Sequence, residues 1–343
     1  MIHCMWPCRR GGKRLPLLLG AGAIAFAVGL GGAQSPADAQ DYPSKPVEMI
    51  VGLGAGGGVD TAARALAAAL GPFLNGQPAI VVNKPGGAQV PAMKLVAQST
   101  PDGHTLMVLS GGAILAQLFR DRGVDVFTDL VPIAQITDNA LGIFTLRESG
   151  WDTPQKLVTA IKEAHSQGRK LRWGHSGRGA MSHVAAAAWL IENDVYEMVQ
   201  DVPFQGGSGA RTALLGKQVD FGSAGLTNLT GFEADLAILG IYSEERDPTR
   251  PDVPTLIEQG SPTVPMSPPV IIMGPKGMLE GRVRVMAEAI RQATASETFR
   301  NTTSKSGQPA IYLGPEASAK LLRDRRERWS PAVEFIKKKM EGQ

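Results

Sequence analysis

The chain alternates short runs of β-branched residues with longer windows rich in alanine and leucine. The short runs have the length and composition of buried strands, and the longer windows space their apolar residues as helices do. This alternation predicts an α/β fold with parallel-rich sheets flanked by helices, in which ligands bind at the carboxyl ends of strands. The predicted strands are 47–51, 79–83, 105–109, 141–146, 170–174, 219–222 and 237–242, and the predicted helices are 61–70, 91–99, 154–165, 182–192 and 210–215.

A glycine-rich segment lies between the first predicted strand and the first predicted helix. Residues 52–60 have the sequence GLGAGGGVD. Glycine lets backbone N–H groups approach a ligand closely, and the helix N-terminus behind it offers unpaired donors with a partial positive charge. The segment therefore predicts an anion site. We interpret Asp60 as the N-cap of the helix, and Leu66, Leu70 and Phe73 as its core-facing side.

Three further loops have similar small residues. Residues 86–89 follow the second strand, residues 176–179 follow the strand that ends at Gly174, and residues 206–209 precede another helix. Any one of them could simply end a strand, as glycine often does. Their repetition at equivalent junctions favours a shared ligand cleft.

The N-terminus has the three parts of a secretory signal peptide. Four basic residues at positions 9–14 precede an apolar run from Leu15 to Leu30, and Ala37 and Ala39 supply the small residues of a cleavage site. The run is shorter than the ~20 apolar residues that span a bilayer. We therefore predict that residues 1–39 are removed by cleavage after Ala39. The general and twin-arginine export routes both stay open.

Removal of this leader changes the composition. Both cysteines lie in it, so the mature chain has no disulfide, thiol nucleophile or cysteine metal ligand. Four of the 35 basic and one of the 32 acidic residues also lie in it, which leaves 31 of each. This balance argues against a nucleic-acid partner or an anionic-membrane surface. The remaining 304 residues suffice for two lobes, and the proline-rich stretch 248–269 is the best candidate for a connection between them.

An exported enzyme of dinucleotide-binding type is one alternative. Gly52, Gly54 and Gly57 satisfy G-x-G-x-x-G between a strand and a helix. That site also needs an acidic residue about 20 positions later for the ribose, but none occurs between Asp60 and Asp102. Lys84 could still meet a 2′-phosphate, so the motif is weakened and not excluded.

A hydrolase is the other enzyme alternative. Residues 174–178 have the sequence GHSGR, which begins like a nucleophile elbow but has arginine where G-x-S-x-G needs glycine. His183 is more simply a residue of the following helix than a general base. The four histidines after position 100 lack the i, i+4 spacing of a zinc motif, so we predict no metal site.

Seven short motifs, in this order, resemble one family. They are YPSKP (42–46), GGGVD (56–60), NKPG (83–86), PDGHTL (101–106), VPFQG (202–206), GKQVD (216–220) and PDVPT (251–255). Together they resemble the substrate-binding receptors of tripartite tricarboxylate transporters, also called Bug proteins. The resemblance extends from Tyr42 to the C-terminal helix near Trp329.

The resemblance implies a two-lobed periplasmic binding protein of type II, with strands that cross between the lobes. Lobe 1 would comprise residues 40–142 and 266–343, and lobe 2 residues 143–265. The cleft would close on a small organic carboxylate held by backbone N–H groups and water at Gly57–Asp60 and at 206–209. Such a receptor has no cofactor and no catalytic residue, is a monomer in the periplasm, and delivers its ligand to membrane transporter subunits or to a sensor.

The chain departs from the family pattern at three places. Val59 stands where the first loop commonly has threonine, and residues 221–225 are small and apolar where polar groups are common. The second departure leaves no carboxylate for a ligand ammonium group, which disfavours an amino acid. Arg178 is an addition, and we hypothesise that it binds a second ligand carboxylate through two parallel hydrogen bonds; a solvated loop arginine is the simpler alternative.

The sequence thus favours a carboxylate receptor over an exported enzyme, with a scaffolding role third. The carboxylate is a di- or tricarboxylate or an aromatic carboxylate. The predicted ligand-binding residues are Gly57, Gly58, Val59, Asp60, Gly87, Gln89, Ser176, Arg178, Gly179, Ser182, Gly206, Gly207, Ser208, Ser223 and Ala224.

Overall fold

The computed structural model describes residues 42–204 and 206–341. The predicted signal peptide, its cleavage site and both cysteines lie outside the described residues. The strands are β1 (Val47–Val51), β2 (Ala79–Asn83), β3 (Thr105–Ser110), β4 (Leu130–Thr137), β5 (Leu141–Leu146), β6 (Leu171–His175), β7 (Val199–Pro203), β8 (Phe221–Gly225), β9 (Leu236–Ile241), β10 (Val270–Pro275) and β11 (Ala310–Leu313). The helices are α1 (Gly58–Leu70), α2 (Val90–Ala97), α3 (Gly111–Phe119), α4 (Pro154–Ser166), α5 (Met181–Glu192), α6 (Gly207–Leu215), α7 (Glu280–Ala295), α8 (Glu297–Lys305) and α9 (Pro315–Glu341).

The strands form two sheets. The first sheet has the order β11-β4-β10-β3-β1-β2, and the second has the order β7-β6-β8-β5-β9. Pairing is parallel within β3-β1-β2 and within β7-β6-β8, and antiparallel elsewhere. The sheets are therefore mixed, and the predicted parallel pairing applies to one half of each.

The chain passes between the sheets twice. β4 ends at Thr137 in the first sheet and β5 begins at Leu141 in the second. Residues 242–269 return from β9 to β10, form no strand of either sheet, and include the proline-rich stretch 248–269. The boundaries of the two lobes stay a prediction.

Both faces of the first sheet are buried. Met49 of β1 packs in one cluster with Leu66 and Leu70 of α1, whereas Ile50 packs in another with Ile114 of α3. Successive side chains of a strand point to opposite faces, and a parallel sheet covered by helices on both faces therefore needs an unbroken apolar run. The core-facing side predicted for α1 is confirmed at its two leucines. In the described part of the chain, no helix is both long and apolar enough to cross a bilayer.

The parallel halves of the two sheets position the loops of interest. Because β3, β1 and β2 are parallel neighbours, the segments that follow them meet at one edge of the first sheet. The segments after β6, β7 and β8 meet in the same way at one edge of the second sheet. The glycine-rich loops predicted from the sequence all lie at these edges.

Candidate functional site

The loop between β1 and α1 presents backbone N–H groups. Gly57 is the N-cap of α1, and the N–H of Thr61 donates to the carbonyl oxygen of Gly57 at 2.9 Å. The N–H groups of Gly58, Val59 and Asp60 come before this first helical bond and so have no acceptor within the helix. Unpaired N–H groups and the partial positive charge of a helix end are the features that the predicted anion site requires. Ligand binding at this loop stays a prediction.

The prediction that Asp60 caps α1 is wrong. Asp60 lies in the first turn of the helix, and its carboxylate points back into the loop, with 2% of the residue exposed. It accepts hydrogen bonds from the N–H of Gly56 at 2.8 Å, from Asn83 Nδ2 at 2.9 Å and from Arg64 Nε at 3.0 Å. Burial tends to raise the pKa of this carboxyl, but these hydrogen bonds outweigh burial and hold its pKa below the usual range. The carboxylate braces the loop, and only its backbone N–H is left for a ligand.

The loop after β2 connects the ends of three strands. Gly86, Gly87, Ala88 and Gln89 all have positive φ, at 124°, 51°, 54° and 71°. For the two residues with side chains this left-handed conformation costs about 1–2 kcal/mol each. Gln89 is 2% exposed, and its Nε2 donates to Ser110 Oγ at 2.5 Å. The side chain of Gln89 thus reaches from β2 across β1 to the end of β3.

The loop after β6 has no nucleophile with a base. Ser176 Oγ lies 2.5 Å from Ser182 Oγ, and the backbone N–H of Ser176 also donates to that hydroxyl at 3.2 Å. Within residues 42–204 and 206–341, no histidine is hydrogen-bonded to Ser176. A triad needs such a contact. The structure therefore gives no support to the hydrolase alternative.

Arg178 already has a carboxylate partner in the protein. Its Nε donates to Asp201 Oδ2 at 2.8 Å, and its second guanidinium nitrogen donates to Asp201 Oδ1 at 3.1 Å. Burial raises the pKa of Asp201, but Arg178 outweighs burial and keeps that pKa low. This two-point contact is the one that we hypothesised for a ligand carboxylate. A ligand would have to compete with Asp201 for it, so the hypothesis stays a prediction.

The N-terminus of α6 is packed against the end of β8. A β-carbon at Gly207 would lie 2.8 Å from Asn228 Nδ2 and 2.9 Å from the β-carbon of Ala224, so only glycine fits. Ser208 Oγ donates to Asn228 Oδ1 at 3.1 Å. Ser223 has 0% exposure and accepts a hydrogen bond from the hydroxyl of Tyr242 at 3.3 Å. Its position does not support the predicted ligand contact of Ser223.

One cavity is lined from both sheets. It has a volume of about 490 Å³. It brings together Gln89, in the loop after β2 of the first sheet, with Arg178 and Gly179, in the loop after β6 of the second. The other lining residues are Leu53, Ala88, Ser110, Gly112, Ala116, Phe119, Arg122 and Ala180. The predicted residues that do not line it are Gly57, Gly58, Val59, Asp60, Gly87, Ser176, Ser182, Gly206, Gly207, Ser208, Ser223 and Ala224.

Two histidines whose spacing along the chain does not match a metal motif lie side by side behind the loop after β6. The ring centroids of His175 and His183 are 4.5 Å apart, and Trp173 stacks on His183 at 5.3 Å. Candidate ligand atoms of both histidines and of Asp201 lie within 4.8 Å of one another. The spacing along the chain, which lacks the i, i+4 pattern, did not indicate that this pair lies together next to a carboxylate.

The hydrogen bonds of this cluster do not fit a metal. The Nδ1 atoms of His175 and His183 accept backbone N–H bonds at 3.3 Å from Gly177 and Gly179. In the neutral rings the proton then lies on Nε2, and Arg178 holds the carboxylate of Asp201. Burial lowers the pKa of His175, and it lowers the pKa of His183 to about 3. The two histidine rings are therefore neutral and buried, and they support the loop after β6.

Sequence reasoning missed two polar residues of the cavity. Ser110 could have been found, because it directly follows the predicted strand 105–109, and ligands of α/β folds bind at the carboxyl ends of strands. Arg122 follows α3, a helix that the sequence analysis did not predict, and no motif marks it.

Solved structures with this fold define its class, that of periplasmic solute-binding proteins. A TctC solute-binding protein from Polaromonas, solved without ligand, has a TM-score of 0.76 and 26% identity, over 86% of this chain and 99% of its own. MatC from Rhodopseudomonas palustris, solved with bound malate, has a TM-score of 0.68 and 25% identity, over 85% of this chain and 100% of its own.

The family is also defined. The TctC family, described as the tripartite tricarboxylate transporter family receptor, matches residues 62–338, and the chain belongs to this family. Protein BugT of Bordetella pertussis is 27% identical over 318 residues, which cover 90% of this chain and 95% of BugT. The resemblance based on the seven short motifs is thus confirmed.

Proposed function

We propose that this chain captures a small organic carboxylate in the cavity lined from both sheets and delivers it to a tripartite membrane transporter. One observation carries the proposal. The residues that line the cavity include two arginines, Arg122 and Arg178, a serine and a glutamine. Among the described residues, no aspartate or glutamate lines it. Such a lining attracts anions and gives no partner to an ammonium group.

The N-termini of α1 and α6 support the same ligand class. The first N–H groups of α1 and α6 are free of helical acceptors, and both helices begin at the ligand-binding edges of their sheets. Neutral N–H donors can hold a carboxylate directly or through water without a buried counter-charge. The malate-bound relative supports a ligand with more than one carboxylate.

A receptor of this kind binds its ligand and needs no catalytic group. Ser176 lacks a base. Asn83 ends β2, where a dinucleotide site would have its acidic residue, and its amide donates to Asp60 and to the carbonyl oxygen of Leu53. We therefore assign no catalytic residue, metal or cofactor. Lobe 1 (40–142 and 266–343) and lobe 2 (143–265) would close on the ligand, which excludes water from the contacts.

The predicted signal peptide indicates the cellular compartment of the receptor. We propose that residues 1–39 direct export to the periplasm and are removed after Ala39, and that the mature protein is a monomer. Intact mass of protein recovered from the periplasm tests the cleavage site. Capture of the transporter's membrane subunits by the ligand-loaded receptor would support delivery, and capture of a sensor instead would assign a different partner.

Ligand-dependent stabilisation tests the function directly. Mature protein from Gln40 onward is heated with succinate, malate, citrate, adipate or hexanoate, and with adipamide as the uncharged control. We expect at least one carboxylate to raise the Tm, because a ligand at 100 times its Kd stabilises the folded state by about 2.7 kcal/mol. Adipamide should have no effect, and the acid should be recovered unchanged. No shift with any carboxylate, or the appearance of a product, would contradict the proposal.

A further inference from the structure

Arg122 is a cavity arginine for which the described residues supply no ion-pair partner. It is half-buried, lines the cavity three residues after the end of α3, and its Nε is buried with no hydrogen-bond partner. Its guanidinium forms no ion pair with residues 42–204 or 206–341. A buried donor without an acceptor is costly, and a guanidinium requires an anion or several acceptors.

The two cavity arginines differ in whether a carboxylate of the protein compensates their positive charge. Arg178 is neutralised by its two hydrogen bonds to Asp201, whereas Arg122 has no carboxylate within reach in the described chain. The uncompensated positive charge of the cavity is therefore at Arg122. It lies beside apolar surface, where solvent screens the charge less than it would in open water.

One face of α3 lines the cavity along most of the helix. Gly112, Ala116 and Phe119 line it at i, i+4 and i+7, which is a single helical face. At a rise of ~1.5 Å per residue, this face spans ~10 Å from Gly112 to Phe119. Leu53 extends the apolar wall. The middle of the cavity thus suits an apolar spacer that is longer than the two-carbon spacer of succinate or malate.

The end of the cavity opposite Arg122 is polar. Ser110 Oγ accepts a hydrogen bond from Gln89 Nε2, so its own hydroxyl proton remains to be donated. Ser110 also precedes the N-terminus of α3. This end can hold one carboxylate, while Arg122 stands at the other end of the apolar face.

We infer that the cavity takes an elongated dicarboxylate and that Arg122 binds its distal carboxylate. The inference rests on the proposed function, because it names the ligand class of the same site. A guanidinium and a carboxylate form two parallel charge-assisted hydrogen bonds, which select for a terminal carboxylate over a methyl group. Arg122 is therefore the residue that distinguishes dicarboxylates from monocarboxylates of equal length.

Calorimetric titration of adipate and hexanoate tests this assignment. The two acids have the same number of carbons and differ in the distal carboxylate. We expect Arg122→Gln to weaken adipate binding roughly 10-fold to 100-fold, because it removes a hydrogen-bonded charge, and to change hexanoate binding by less than about twofold. Arg120→Gln is the matched control, since Arg120 is exposed at the end of the same helix. It should leave both affinities unchanged, and an unchanged Tm of both variants without ligand verifies their folding.

Other results would overturn the assignment. Equal weakening of adipate and hexanoate by Arg122→Gln would make Arg122 a general anion contact. Selective loss of adipate in Arg178→Gln but not in Arg122→Gln would assign the distal carboxylate to Arg178. Tighter binding of succinate than of adipate would contradict the elongated spacer. Binding of neither acid, nor of any other carboxylate, by the wild-type protein would instead overturn the proposed function itself.

Discussion

At the scale of single residues, Asp60 decides which groups of the loop between β1 and α1 stay free for the proposed ligand. A carboxylate at the mouth of an anion site would repel an anionic ligand if it faced that ligand. The two oxygens of Asp60 instead accept hydrogen bonds from Gly56, Asn83 and Arg64. The carboxylate therefore faces these three donors and not the free N–H groups of the loop, and its hydrogen bonds fix the shape of the loop.

The substitution Asp60→Ala should destabilise the conformation of the loop between β1 and α1. Three donors lose their acceptor, and we expect the free energy of unfolding to fall by about 1–3 kcal/mol in urea denaturation. Affinity for the carboxylate found by thermal shift should also fall, because the N–H groups of the loop lose their arrangement. Asp152→Ala is the control, since Asp152 forms only an exposed ion pair with Lys156. Equal stability of the two variants would contradict the bracing role.

At the scale of elements, the cavity depends on close approach between loops from neighbouring strands. A β-carbon at Gly52, at the end of β1, would lie 2.5 Å from the β-carbon of Gln89. The loop after β2 can therefore cover the end of β1 only if residue 52 is glycine. This contact sets the position of the Gln89 side chain over Ser110.

We expect Gly52→Ala to displace Gln89 from Ser110. Overpacking of this kind costs about 1–3 kcal/mol, and carboxylate affinity should fall along with stability. Gly54→Ala in the same loop is the matched control, because nothing lies within 4 Å of a β-carbon there. Chemical denaturation and calorimetric titration of the two variants measure the difference. A Gly52→Ala protein as stable as Gly54→Ala would show that the two loops can separate freely.

At the scale of the whole molecule, stability depends on keeping His175 and His183 neutral. Both rings are buried against Trp173, and burial lowers the pKa of each. In the unfolded chain a histidine has the higher, ordinary pKa of 6.5. Between the two pKa values the unfolded state therefore binds more protons, and stability falls as the pH falls.

Urea denaturation at several pH values measures this linkage. For His183, with a folded pKa of about 3, the window runs from pH 6.5 down to about 3. We expect the loss from this residue to approach about 1.4 kcal/mol per pH unit once the pH is about one unit below 6.5, with His175 adding in the same direction. His183→Gln should flatten the slope between pH 6.5 and 5, whereas the exposed His165→Gln should keep it. An NMR titration in which His183 protonates near pH 6.5 would contradict the assignment.

The sequence alone determined the elements that form the ligand-binding edges. The strands 47–51, 79–83 and 141–146 have the predicted bounds, and all four glycine-rich loops follow or precede elements as expected. Other elements were missed, among them β4, whose run contains Pro132 and Gln135, and α3, which begins with two glycines. Local composition there conflicts with the final element, and long-range pairing with β10 and β11 decides the outcome for β4.

The motifs of the sequence also determined the family, and its glycines located the loops at the ends of the strands. Only the tertiary structure decided which side chains meet. It joins Arg178 to Asp201, places His175 beside His183, and brings Arg122 into a cavity shared with Gln89. The reason is physical: secondary structure follows from neighbours along the chain, whereas these contacts follow from the order of strands in two sheets and from burial between them.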